Sequence, residues 1–155
     1  MISPQPQSVV VQSGENTCGP ACAANMAQNL GYNGVTESSL TNIVGTNNTT
    51  APSLANALEQ STGQSFTGGA ISADPAALSD SQIQGVVNTF TNNGQNSFMS
   101  LFNAPGSGLN DGHWVLVNGV DSGGNILITD PVGLNYSQSP SGFAQAWKYG
   151  VLVTH

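Results

Sequence analysis

Hydrophobic positions along the chain recur first at helical spacing and, after Gly94, at strand spacing. Val9, Val10 and Val11 form a short β-branched run ending at Gln12, an extended approach to the loop Ser13 to Thr17. From Gly19 to Leu30 the sequence is rich in helix formers, carries Pro20 in the first turn where a missing N–H costs little, and stops at Gly31. Ala23, Met26, Ala27 and Leu30 share one face, and most of them are small enough for another element to approach closely. Thr36 to Val44 and Pro52 to Thr62 read as two further helices, closed by Gly45 and Gly63. Ser79 with Gln82 three residues on is a capping-box pattern. Ile83, Val86, Val87 and Phe90 then repeat at helical spacing, which predicts a helix from Asp80 to Asn93. Strands follow: SFMSLF from Ser97, HWVLVNGV from His113, NILITD from Asn125 and GVLVTH from Gly150, with Phe143 and Trp147 four apart on a short helix before the last.

Helices first and an antiparallel meander afterwards predict an α+β domain with segregated layers. No repeat or linker divides residues 1–155, a length that fits one domain. With 38% apolar residues the chain can fold around a core without disulfides or a structural metal. One Lys or Arg against eight Asp or Glu gives a formal charge of −7, which repels phosphate backbones and anionic lipid heads and argues against a nucleic-acid partner. No apolar stretch is long enough to insert in a membrane. Only 6% of residues are charged, so Asn, Gln, Ser and Thr solvate the surface, a bias typical of exported proteins. Lys148 is the only lysine and there is no arginine. That scarcity has two readings, drift of an exported composition or selection against modifiable amines in a host cell. Met1 to Gln7 lack the basic and apolar regions of a secretory signal. This is compatible with a signal already removed, a domain cut from a larger protein, or another export route.

Candidate chemistry gathers at a few residues. Cys18 stands at the mouth of the first helix, where the helix dipole and free N–H groups favour thiolate over thiol. A buried, inert cysteine is the competing reading, and it suits Cys22, one turn inside the helix, better. Two cysteines are too few for a closed metal site, so both read as free thiols. His155 ends the chain, which leaves His113, at the head of a strand after the glycine-rich loop Asn103 to Gly112, as the candidate general base. Asp121-Ser122-Gly123-Gly124 signals a hairpin joining the second and third strands. An even number of loop residues there would put His113 and Asp130 on one face, and an odd number on opposite faces. Asp130-Pro131 ends the strand at a rigid turn, where the carboxylate could accept the imidazole N–H; turn chemistry alone is the alternative. Gln12, six residues before Cys18, could add its amide to the Cys18 N–H as an oxyanion donor, against the alternative of an exposed polar residue in a glutamine-rich chain.

Taken together, Gln12-Ser-Gly-Glu-Asn-Thr-Cys18-Gly-Pro-Ala, Gly112-His113-Trp-Val-Leu-Val-Asn-Gly-Val and Asn125-Ile-Leu-Ile-Thr-Asp130-Pro resemble the papain-like cysteine peptidase superfamily. The similarity is greatest to compact bacterial members: the leader-peptide peptidase domains of bacteriocin exporters and the papain-fold domains of effectors and toxins. Gly-Pro after the cysteine departs from papain itself and matches the exporter peptidases. Residues 33–96 carry no family motif. The resemblance implies N-terminal helices packed on a C-terminal antiparallel sheet, with Cys18 as nucleophile, His113 as base and then acid, Asp130 as orienter and Gln12 as oxyanion donor. It implies a cysteine protease acting on a protein or peptide without a cofactor, as a monomer, secreted and delivered into a target cytosol, with an immunity protein or inhibitor as a further partner. Glutamine deamidation or transglutaminase-type acyl transfer on the same site is the first alternative, and an inactive papain-like binding module the second. Specificity is expected in the loops Asn103 to Gly112 and Thr46 to Pro52.

Overall fold

A computed structural model describes residues 10–14, 17–45, 49–103 and 112–155. Most of the two loops expected to set specificity, and the start Met1 to Val9, lie outside the described residues. Three helices come first: α1 (Cys18–Asn29), α2 (Glu37–Val44) and α3 (Ala51–Thr62). The strand β1 (Thr67–Ala70), a single 3₁₀ turn (Pro75–Ala77) and α4 (Asp80–Phe90) follow. Then come β2 (Phe98–Asn103), β3 (Gly112–Val120), β4 (Ile126–Asp130), β5 (Leu134–Gln138), α5 (Pro140–Ala146) and β6 (Trp147–Thr154). The strands form one six-stranded sheet in the order β1-β6-β2-β3-β4-β5, and every neighbouring pair is antiparallel.

The helix boundaries follow local chemistry. Thr36, Thr50 and Ser79 each accept a backbone N–H at the first turn, and α2 and α4 carry complete capping boxes. The helix predicted to Asn93 ends at Phe90, because Asn92 and Asn93 take positive φ and turn the chain into β2. The α1 helix is buried from Cys18 to Ala27 on all sides, not along one face. Its alanines allow α2, α3 and β3 to crowd round it.

These three helices cover one face of the sheet, meeting Met99, Trp114, Leu116 and Val153. The other face carries Phe98, Phe102, Val115, Val117, Ile126 and Ile128, and α4 and α5 close it with Ile83, Val87 and Phe143. The architecture is therefore α+β with N-terminal helices on an antiparallel sheet, as expected, but both faces are covered. Strands β1 (TGGA) and β5 (LNYSQ) escape the sequence pattern because they are largely exposed edge strands with no buried face to impose alternation. Among the described residues, no helix is long and apolar enough to cross a membrane.

The β3–β4 hairpin decides where two of the candidate residues point. Its connection, residues 121–125, is odd, which on its own puts His113 and Asp130 on opposite faces. A β-bulge reverses that outcome. Gly119 pairs with Leu127 but Val117 pairs with Ile128, so Asn118 is an extra residue on β3 and the register shifts by one. Beyond Leu116 and Thr129, His113 then lies one diagonal step from Asp130 on the same face.

Candidate active site

Cys18 occupies the first position of α1, a helix whose N-cap residue, Thr17, makes no side-chain cap bond. The loop before it is closed instead by Gly14 and Thr17: the Gly14 N–H donates to Thr17 Oγ1, which donates back to the Gly14 carbonyl. Gly19 follows because nothing larger fits. A Cβ there would stand 2.9 Å from Thr49 Cβ and 3.2 Å from the Trp114 ring. Trp114 in turn donates its Nε1–H to the Thr49 carbonyl at 3.1 Å, tying β3, the approach to α3 and the mouth of α1 together. Gly19→Ala is expected to cost about 1–3 kcal/mol of stability by overpacking, read as a lowered Tm, and to slow alkylation of the displaced Cys18; an unchanged Tm and alkylation rate would show that Thr49 and Trp114 yield freely.

His113 enters from the head of β3, beyond the point where β3 and β4 pair at Leu116 and Thr129. Its Nε2 lies 2.7 Å from Asp130 Oδ1, and its ring also shares a side-chain hydrogen bond with Cys18. Cys18, His113 and Asp130 thus form one hydrogen-bonded chain running from the helix mouth across the end of the sheet. Asp130 is held in turn by the Val132 N–H, 3.0 Å from Oδ1, and by the Tyr136 hydroxyl, 3.4 Å from Oδ2.

The electrostatics follow from these contacts. Burial raises the Cys18 thiol, but the His113 hydrogen bond and the N–H groups of Trp114 and Gly19 outweigh it, and the net shift is downward. Burial lowers His113, and the bonds to Asp130 and Cys18 more than reverse that, raising it to about 9. Burial also raises Asp130, while His113 and the Val132 N–H pull it below its ordinary range. Tyr136 is pushed up to about 12 by burial and by the neighbouring Asp130 carboxylate, so it stays protonated and donates. Both shifts run in the direction that favours a thiolate beside an imidazolium. Cys22 lies in the opposite situation: fully enclosed by the core, its thiol is raised well above the ordinary value by burial and then by the charges of Cys18 and Asp130. Both cysteines are free.

Gln12 reaches the same corner by its backbone. Its N–H donates to the Pro131 carbonyl at 2.7 Å, directly after Asp130. Its side chain is turned to the Gly14 carbonyl, to which Nε2 donates at 2.7 Å, while among the described residues the buried Oε1 has no partner. The structure therefore unites Cys18, His113 and Asp130 by side-chain bonds and brings Gln12 beside them through its main chain. Sequence reasoning missed Tyr136, whose strand β5 has no clear pattern, and Glu37, which grips Ser13 at both N–H (2.8 Å) and Oγ and so anchors the Gln12 loop to α2.

The fold and family define the class, cysteine peptidases of papain-like fold. The chain belongs to the Peptidase_C39 like family, whose model matches residues 2–151. It is 31% identical over 141 residues to "Cysteine protease effector 1" of Escherichia coli O1:K1:H7; the match takes in 90% of this chain and 25% of that protein, so the chain spans about a quarter of its curated relative. Among solved structures, the peptidase domain of Streptococcus ComA, a bifunctional ABC transporter of a quorum-sensing pathway, is similar over 96% of both chains at 23% identity and a TM-score of 0.71. A double-glycine-motif protease from an AMS/PCAT transporter, solved with its leader peptide, is similar over 99% of this chain and 97% of that one, at 14% identity and a TM-score of 0.66. These likenesses bear out the expected fold and family.

Proposed function

We propose that this domain hydrolyses a peptide bond in a specific protein substrate, with Cys18 as nucleophile, His113 as base and then acid, and Asp130 as the group that orients His113. The observation that carries the reading is that one imidazole, His113, is held 2.7 Å from Asp130 Oδ1 and also shares a side-chain hydrogen bond with Cys18. The thiolate attacks the carbonyl carbon, and the carbonyl oxygen takes the negative charge. The imidazolium gives its proton to the leaving amine as the C–N bond breaks, which leaves an acyl-thioester on Cys18. His113, now neutral, takes a proton from water as that water attacks the thioester, and release of the acid restores the thiolate. Asp130 holds the ring in one orientation and favours the imidazolium throughout. The Cys18 N–H supplies one oxyanion donor. Gln12 supplies the second by turning its amide from the Gly14 carbonyl to the substrate, a rotation that leaves its backbone anchor at Pro131 in place.

Activity should follow a bell in pH. The active form needs Cys18 deprotonated and His113 protonated. The acid limb therefore falls below the ordinary thiol range, because the Cys18 pKa is lowered, and the alkaline limb falls near pH 9, where His113 loses its proton. A kcat/KM profile with an alkaline limb at the ordinary histidine value, near 6.5, would contradict the pairing.

The relative named an effector, together with the amide-rich acidic composition, supports a secreted protein that acts in a target cell, where reducing conditions keep Cys18 a thiol. An immunity protein or inhibitor of the secreting cell is then a partner in kind. Mass spectrometry of a defined protein mixture after incubation tests the reaction itself. Cleaved chains are the expected result; a gain of about one mass unit at glutamine with intact chains would assign deamidation instead.

A further inference from the structure

Asn118 is the residue that the β3–β4 ladder does not need. It is the extra position of the bulge between Val117 and Gly119, and Gly119 follows it at φ 145°, a conformation that favours glycine. Its side chain is nonetheless buried and bonded at both ends: Oδ1 accepts from Ser97 Oγ at 2.7 Å, and Nδ2 donates to Thr129 Oγ1 at 2.8 Å. Thr129 passes the connection on, donating to Asn135 Oδ1 at 2.6 Å. One polar line thus crosses from the residue before β2, through β3 and β4, to β5, with Ser97, Asn118 and Thr129 all buried. Such a line is specific to one register, since a slip by one residue would leave buried groups unpartnered.

The register it fixes is the one that matters to the site. Continued without a bulge, the pairing of Val120 with Ile126 would set Asp130 opposite Leu116 and on the other face from His113. With Asn118 bulged, Thr129 faces Leu116, and His113 and Asp130 share a face close enough for the 2.7 Å bond. Thr129, which Asn118 grips, is the residue directly before Asp130. We propose that Asn118 is a positioning residue: by anchoring the bulge to Ser97 and Thr129 it holds the one-residue shift that lets Asp130 meet His113. The inference deepens the proposed catalytic reading and rests on it for any effect on turnover, while the His113–Asp130 pairing can be read without it.

The test uses two variants of the whole chain, Asn118→Ala and a deletion of Asn118. In Asn118→Ala both anchoring bonds are lost with the bulge still present, so the His113–Asp130 bond loosens. The deletion removes the extra residue and leaves Val117 against Ile128 in an uninterrupted ladder, with His113 and Asp130 still on one face. Imidazole NMR signals titrated against pH report the pairing directly, since Asp130 and Cys18 are the groups bonded to the ring. In Asn118→Ala the His113 midpoint should fall from about 9 by at least one pH unit, and kcat should drop roughly ten- to a hundredfold at little-changed KM. The deletion should keep the high midpoint. A lowered Tm with an unmoved midpoint in Asn118→Ala would overturn the proposal, leaving Asn118 a stabilising residue only; if the deletion does not fold, Asn118→Ala decides alone. A wild-type chain without peptidase activity would sink the catalytic reading, whereas the midpoints would still judge the role of Asn118.

Discussion

Replacing Cys18 with alanine is expected to lower kcat/KM by about 10⁴–10⁶-fold, because no other group of the site can form the acyl intermediate. The residual rate comes only from binding and the oxyanion donors. The fold should survive the change. Alanine keeps the Cβ at the start of α1, and although Cys18 is buried, the change removes a single sulfur atom at the first position of the helix. Far-UV circular dichroism and Tm close to wild type, with cleavage of the substrate at background, are the results to look for. Cys22→Ala is the paired control. Cys22 lies inside the core with its thiol held protonated, so this variant should retain full activity and lose only a little packing. Equal loss of activity in both would point to structural damage and not to a nucleophile.

The second large effect is expected from His113→Ala. Nucleophile and base act as a unit, so the loss in kcat/KM should approach that of Cys18→Ala, and the double variant should be no worse than either single one. This variant also changes the sulfur. Without the imidazole, burial remains as the main influence on Cys18 and pushes its thiol up, offset only by the N–H groups of Trp114 and Gly19. Alkylation of Cys18 below pH 8 should then slow markedly while alkylation at high pH is retained. A rate unaffected across the pH range would mean that the helix mouth alone sets the thiolate, and that His113 contributes nothing to it.

Much of this site was legible in the sequence because its chemistry is carried by local signals. Gly-Pro after Cys18 marks a helix start, and the β-branched run after His113 marks a strand. The Asp130-Pro131 step marks the end of the next strand. What the sequence could not show is register. The odd connection at residues 121–125 points to the wrong face, and the correction comes from a bulge whose only local sign is an Asn-Gly step inside an apolar strand. Bulges are set by pairing across strands, here by Ser97 and Thr129, which lie far from Asn118 in the sequence. The edge strands β1 and β5 were illegible for a related reason. Each is held by one neighbouring strand and buries little, so no alternation is imposed on it. The second layer, α4 and α5, was readable as helices but not as covering the far face, since periodicity shows that a helix has an apolar side and not which surface it meets.

In the proposed mechanism, the side-chain amide of Gln12 differs from the other three residues in needing to move. Its bond to the Gly14 carbonyl is local and exposed, whereas the backbone bond to Pro131 and the Glu37 grip on Ser13 hold the segment from outside. In that mechanism a substrate oxyanion would compete with one neutral hydrogen bond for the amide, a modest cost beside the charge it would stabilise.

The most direct measurement of the central claim compares the two cysteines in one protein. Iodoacetamide labelling, followed by peptide mass spectrometry from pH 5 to pH 10, reads each thiol separately. Cys18 should label far faster than Cys22 near pH 6, with a rate that persists below the ordinary thiol range and that His113→Ala abolishes there. Slow, similar labelling of both residues at pH 6, rising together only as free thiols ionise, would show that no thiolate–imidazolium pair exists at the mouth of α1.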